Sequence, residues 1–234
     1  MINSDKRIKK LDLNTIKEAA RILDQGGLVV LPSDTNYCIH CDYKNPNAVK
    51  RLYDTKKRSG NSPLLMTVPD ASYISSLAEP NDHALKLVSQ YWPAPFSVIL
   101  LRKPKVPDFV VRGLQTVGLG CHKHPALKML FRLRPDALAS SSANVSGGPD
   151  PKSADEVAKQ IALGVDLIVD GGHLDSRHAN TLIDFSEYPP VVARSGEFPL
   201  ELVRQIIPDI NDTVTNEQYK TRTQGQVSKV WGAI

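Results

Sequence analysis

The chain has 234 residues, 41% of them apolar and 23% charged, with a formal net charge of +4. A chain of that length and balance buries a substantial core without disulfide staples, so it reads as one large domain, or one domain with an appendage. Three cysteines argue against a disulfide framework, no stretch approaches the ~20 apolar residues that span a bilayer, and the polar start Met1 to Arg7 has no signal-peptide apolar block, so a cytoplasmic protein is expected.

In chain order, the apolar spacing of Leu13, Ile16, Ala19, Ala20 and Leu23 predicts an amphipathic helix, capped by Asp12 or Asn14 and stopped at Gly26-Gly27. Leu28 to Leu31 is a buried-type strand, broken by Pro32 to Thr35. Ala48 to Lys56 reads as a helix and Leu64 to Val68 as a strand. A helix over Ala84 to Tyr91 ends at Trp92-Pro93, and strands follow over Phe96 to Leu101 and Thr116 to Cys121. Pro125 to Leu133 is helical, and Leu138 to Ser140 is a short strand. Ser153 to Leu163 is a helix with Ser153 as cap and Glu156 completing a capping box. Strands over 167–169, 181–185 and 191–194 precede a last helix over 200–207. Strands and helices intermix without a strict βαβ rhythm, and neither GxGxxG nor GxxxxGK[ST] occurs. The pattern predicts an α/β fold with a twisted mixed sheet. After Pro208 the composition turns polar, so residues 1–207 are expected to form the domain and 208–234 a polar, mobile C-terminal extension.

Cys38-Ile39-His40-Cys41, with His122 and His124 far along the chain, invites a zinc reading. A single CxxC fed by a strand fits packed free thiols better, and no metal site is assigned. More informative are four polar clusters that flank the strands: residues 33–37, 56–63, 140–147, and 178–181 with 194–196. Strand ends of open sheets are where ligands bind. Lys56 and Arg58 carry the charge that a polyphosphate requires, and Ser142 and Asn144 can add neutral hydrogen bonds. Each cluster also has a plain reading: a basic helix end, a turn, a cap, a surface charge. By themselves the residues reach a phosphate-friendly cleft and no further.

The order of the clusters resembles the YrdC-like family, whose best-known members are threonylcarbamoyl-AMP synthases. The family's Pro-Thr-Asp-Thr-x-Tyr-Gly is echoed by residues 32–38. Its Lys-x-Arg-x4-Pro-Leu is met by Lys56, Arg58, Pro63 and Leu64, and its Trp-Pro-Gly-Pro-x-Thr by residues 92–97. Its Ser-Ala-Asn-x-Ser-Gly is matched by Ser142, Ala143, Asn144, Ser146 and Gly147, and its Arg-x-Gly by Arg194 and Gly196. The resemblance covers about residues 15 to 207. It implies a twisted, largely open sheet with flanking helices around a concave basic cavity. It also implies synthesis of L-threonylcarbamoyl-AMP from ATP, L-threonine and bicarbonate, with Mg²⁺ carried by the nucleotide. A partner transferase would act on tRNA. The same resemblance assigns Lys56, Arg58, Ser62, Thr116, Ser142, Asn144 and Arg194 to ATP, and Thr35, Thr67, Ser140 and Asn180 to the amino acid.

Four positions depart from the family pattern. Gly120 stands where the family carries an arginine expected to clamp the amino-acid carboxylate, with His122, Lys123 and Arg112 as candidates to supply the missing charge. Thr67 replaces a histidine, Asp150 a serine, and residues 179–182 a Glu-Ser-Thr-Val. Two alternatives stay open: a carbamoyl-adenylate-forming enzyme fed by carbamoyl phosphate, and a non-catalytic RNA-binding protein, with weak direct RNA binding also compatible with the lead reading.

Overall fold

Eleven strands form one sheet among the residues that the computed structural model describes, 6–58 and 62–212. The chain runs β1 (Ile8–Lys10), α1 (Leu13–Asp24), β2 (Val29–Pro32), β3 (Tyr37–Asp42), α2 (Pro46–Thr55), β4 (Leu65–Thr67), α3 (Ile74–Leu77), β5 (Ala78–Glu79), α4 (Asp82–Tyr91) and β6 (Phe96–Arg102). It continues through α5 (Asp108–Val111), β7 (Thr116–Gly120), α6 (Pro125–Leu133), β8 (Leu138–Ser142), α7 (Ala154–Ile161), β9 (Leu167–Asp170), β10 (Thr181–Asp184), β11 (Val191–Arg194) and α8 (Leu200–Arg204).

The strand order is β1-β9-β2-β3-β8-β4-β7-β6-β10-β11, with β5 added to β6. Parallel pairs (β1 with β9, β9 with β2, β4 with β7, β6 with β10) alternate with antiparallel ones. The expected α/β fold with a mixed sheet is therefore present. The six-residue strand β3 and the elements β1, α3, β5 and α5, each of four residues or fewer, add to those the sequence predicts.

Period-two alternation sorts the side chains onto two faces. On one face Tyr37, Ile39, Met66, Val98, Leu119, Ala139 and Ile183 pack against α2, α4, α7 and α8. On the other, Val29, Leu31, Leu138, Leu167 and Val169 pack under α1 and α6. Those two helices cover the β9-β2-β8 side of that face. Beyond them the floor is built of small and polar groups, including Thr67, Ser97, Gly120 and Ser140, that line a cleft. The same alternation that buries one row of apolar side chains thus presents a polar row where helices are missing.

Local chemistry sets the ends of the elements. Asp12 caps α1 by accepting from the Thr15 amide at 2.7 Å. Ser153 caps α7 by accepting from the Glu156 amide at 3.3 Å, but the Glu156 carboxylate reaches the Lys152 amide instead of closing the predicted reciprocal box. The three cysteines are free thiols. The fold continues past residue 207: Ile210 is buried, and the Asn211 carbonyl accepts from the Val192 amide at 2.8 Å. The rest of the expected extension, residues 213–234, lies outside the described residues. Among the described residues no helix is long and apolar enough to cross a membrane.

Candidate active site

A cleft of about 710 Å³, counted to its open mouth, lies on the uncovered floor. Arg58, Ser142 and Arg194 line it, as do Thr35, Thr67, Ser140 and Asn180. Residues 159 positions apart, Thr35 to Arg194, are thus brought to one wall-to-wall space by the strand order.

The basic side holds Arg58 just beyond the end of α2. Its Nη2 donates to the Pro63 carbonyl at 2.9 Å, Nε to the Ser62 carbonyl at 3.3 Å, and Nη1 to Ser141 Oγ at 3.2 Å. These bonds fix the guanidinium plane against the end of β8. Arg194, at the end of β11, donates from Nε to the Asn180 carbonyl at 3.0 Å. Behind it the chain must pass very close to itself: a Cβ on Gly196 would stand 2.1 Å from the Ala179 carbonyl oxygen, so only glycine fits.

Lys56 lies elsewhere than a phosphate ligand would. It is 1% exposed and does not line the cleft. Its ammonium donates to the Ser142 carbonyl, to the Asn144 carbonyl at 2.7 Å and to Asn144 Oδ1 at 3.1 Å. Three donors meet three acceptors. Burial and the nearby Arg58 push its pKa down to about 8, which still leaves the ammonium predominant at neutral pH. Asn144 is likewise behind the surface: its Oδ1 accepts from Ser142 Oγ at 2.6 Å, and its Nδ2 donates to the Gly148 carbonyl at 2.6 Å. Lys56 and Asn144 therefore hold the 142–148 loop rather than face the cleft. Ser62 offers its carbonyl to Arg58 and Tyr53, and Thr116 sits on β7 opposite Leu101, roughly 13 Å along the strand from Gly120. Neither lines the cleft.

The neutral side is made of pairs. Thr35 Oγ1 donates to Asn180 Oδ1 at 2.9 Å, and Thr67 Oγ1 donates to Ser140 Oγ at 3.0 Å. Thr35 is anchored further by Lys152 Nζ and Ser176 Oγ, both on its carbonyl. Lys152 belongs to no motif, and nothing local in the sequence marks it. Ser97, paired with Gly120 across β6 and β7, completes the floor.

Of the three candidates for the missing charge, only His122 reaches the cleft lining. Arg112 stacks on the Tyr53 ring at 3.8 Å, and Lys123 gives its backbone amide to Asp34. Asp34 accepts from the Lys123 amide at 2.9 Å and the His124 amide at 3.0 Å, and lies 3.8 Å from His122 Nδ1. Burial alone would raise the Asp34 pKa; the His122 ring and the Lys123 amide outweigh it and hold the carboxyl below its ordinary value.

Cys38 also lines the cleft, but burial pushes its thiol up to about 12, and Sγ donates to Asn36 Oδ1 at 3.2 Å. It is a packed thiol, not a thiolate nucleophile. Asp150, the acidic side chain in the lining, faces the same space as Arg58 and Arg194. The arrangement can grip an anion between two guanidinium groups and order a small polar molecule on hydroxyl and amide groups. Its chemical resource is fixed charge and orientation.

Known proteins resemble this chain in sequence and in fold. The family profile Sua5/YciO/YrdC, whose description reads Telomere recombination, matches residues 21–196. Threonylcarbamoyl-AMP synthase of Pyrococcus abyssi (strain GE5 / Orsay) is 33% identical over 211 residues, which cover 90% of this chain and 61% of that protein. This chain therefore spans about three fifths of that relative's length. The crystal structure of P. abyssi Sua5 complexed with L-threonine superposes with a TM-score of 0.82 at 32% identity, over 87% of this chain and 60% of that one. Escherichia coli YciO superposes at 0.77 over 84% of this chain and 98% of its own; at 23% identity that likeness concerns the fold. With the match running from α1 through β11, the chain belongs to the Sua5/YciO/YrdC family.

Proposed function

We propose that the chain makes L-threonylcarbamoyl-AMP from ATP, L-threonine and bicarbonate. One observation carries the reading: three of the seven residues assigned to a nucleotide, Arg58, Ser142 and Arg194, line a single cleft with all four assigned to an amino acid, Thr35, Thr67, Ser140 and Asn180. Its support from relatives is the P. abyssi synthase and the L-threonine complex of P. abyssi Sua5.

The threonine amine takes up bicarbonate as a carbamate, releasing water. A carbamate oxygen then attacks the α-phosphorus of ATP, a P–O bond forms, and the bond to the β-phosphate breaks with pyrophosphate leaving. No side chain needs to become a covalent carrier. Arg58 and Arg194 stabilise charge on the phosphate oxygens, and the loop braced by Lys56 presents Ser142. Mg²⁺ accompanies ATP as its phosphate complex. Among the described residues no group of three His, Cys, Asp or Glu side chains could hold a metal. Asp150 fits a supporting contact to such a complex. The adenylate is a mixed anhydride, so a separate transferase in the same cytosolic compartment must move its threonylcarbamoyl group to tRNA.

The test is mass spectrometry of the nucleotide product with threonine plus bicarbonate, other amino acids plus bicarbonate, and carbamoyl phosphate offered in parallel. Threonylcarbamoyl-AMP with pyrophosphate is expected. Carbamoyl-AMP formed without any amino acid would replace this reading with a carbamoyl-adenylate activity.

A further inference from the structure

Resting on the reading above, we propose that His122, seated over Gly120 and backed by Asp34, is the group that binds the carboxylate of the amino-acid substrate.

An amino acid brings a carboxylate into the cleft, and a carboxylate on an enclosed floor needs a cationic partner. Three basic side chains line the space: Arg58, Arg194 and His122. Arg58 is fastened to Ser141 and the 62–63 carbonyls, on the side assigned to phosphate. His122 instead stands among the amino-acid groups. Its Nδ1 lies 3.5 Å from Asn180 Nδ2, and Asn180 Oδ1 in turn accepts a hydrogen bond from the Thr35 hydroxyl.

Gly120 makes room for the ring. A Cβ at that position would fall 2.7 Å from Ser97 Oγ and 3.3 Å from His122 Nε2. The imidazole thus occupies the space into which a side chain at 120 would grow. Its Nδ1 edge is turned to Asp34 and its Nε2 edge to the floor. Both partners are enclosed, with side chains 8% and 2% exposed. The Asp34 carboxylate stands 3.8 Å behind Nδ1, close enough to act on the ring through charge, and the Nε2 edge is the one left to present an N–H to the cleft.

The charged and titratable groups around His122 favour this placement of the charge. Asp34 faces it directly, with the Lys123 side chain acting on the same carboxylate. His40 below and His124 beyond also feel the ring. Burial pushes His40 down to about 3 and lowers His124, so neither competes for the proton. Arg194, also in the lining, feels the Asp150 carboxylate.

The experiment uses the full chain and compares wild type with His122→Gln and Asp34→Asn. Threonine and its amino-alcohol analogue, which carries CH₂OH in place of the carboxylate, are titrated by calorimetry and in turnover from pH 6 to 9. His122→Gln is expected to weaken threonine by about 10- to 100-fold, the span of a lost charged hydrogen bond, with the KM for ATP and the melting temperature unchanged. Preference for threonine over the amino alcohol should collapse in the same variant. Asp34→Asn, which removes the carboxylate behind the ring, should weaken threonine in the same direction by a smaller factor. Unchanged threonine affinity, or a retained preference for the carboxylate, in His122→Gln overturns the inference and leaves the adenylation reading intact. Threonine binding that depends on His122 without nucleotide turnover overturns the adenylation reading and leaves the inference standing. A wild type that binds no threonine overturns both.

Discussion

Lys56 and Arg58 are two residues apart and similar in charge, yet they do different work. The Lys56 ammonium is enclosed with three oxygen acceptors, whereas Arg58 lines the cleft. Lys56→Met fills the space but takes a donor from each of those acceptors, of which Asn144 Oδ1 keeps only the Ser142 hydroxyl, at about 1–3 kcal/mol of stability. Arg58→Ala should change stability little and weaken ATP by about 1.5–3 kcal/mol. Urea unfolding and ATP calorimetry on both variants check the division; equal effects on both quantities would refute it. His40 offers a pH prediction. It is fully buried, neither ring nitrogen has a hydrogen-bond partner in the protein, and its pKa is pushed down to about 3 from an unfolded value near 6.5. Between those values the unfolded chain binds the extra proton, so stability falls as pH drops through that window. His40→Leu should flatten the fall and add about 1 kcal/mol at pH 7. An acid-unfolding midpoint that does not move would count against the assignment. The sequence names Lys56 and Arg58 equally well; whether an ammonium turns outward or inward depends on carbonyls 86 and 88 residues away, which no local pattern encodes.

At the level of elements, long periodic segments were readable because their burial is periodic. α6 spans the predicted residues 125–133, and α1, β2, β6, β7 and β11 fall within a residue or two of expectation. The short pieces β1 and β5 exist because a neighbouring strand pairs with them, and a three-residue run has too few positions to show a period. The Asp34–His122 contact joins the β2–β3 turn to the end of β7 across three intervening strand pairings, so it follows from strand order and not from spacing. Asp166 is a comparable clasp that carries no motif. Its carboxylate accepts from the buried Leu28 amide at 2.7 Å and from both Arg51 Nη atoms at 2.7 and 2.8 Å, tying the start of β2 to α2 and β9. Burial would raise its pKa, but the Arg51 fork and the Leu28 amide hold it below the ordinary value. Its contribution is present above pH 3.8 and lost as pH falls through the lower folded value. Asp166→Ala should cost about 1–3 kcal/mol, mostly from the stranded Leu28 amide, because Arg51 is half exposed. A change under 0.5 kcal/mol in denaturant melts would show that water replaces the carboxylate.

For the whole molecule, one continuous sheet joins both apolar clusters, which lie on its opposite faces. A single calorimetric transition is expected, and two resolved peaks would mean that the sheet divides. ATP at about 100 times its dissociation constant adds about 2.7 kcal/mol, or about 5–10 °C for a chain of this size, and Arg58→Ala should abolish most of that shift. The class of fold was legible in the alternation of strand-like and helix-like runs. The cleft was legible as a set of polar clusters, but its floor, with Ser97, Gly120 and His122 side by side, came from the order of the strands. That order has a temporal consequence. Arg58 lies far ahead of Arg194 in the chain, and Arg194 lies on a border strand that pairs with β10 alone on the sheet path. A ligand that must be gripped by both guanidinium groups is therefore captured only after β11 has joined the sheet.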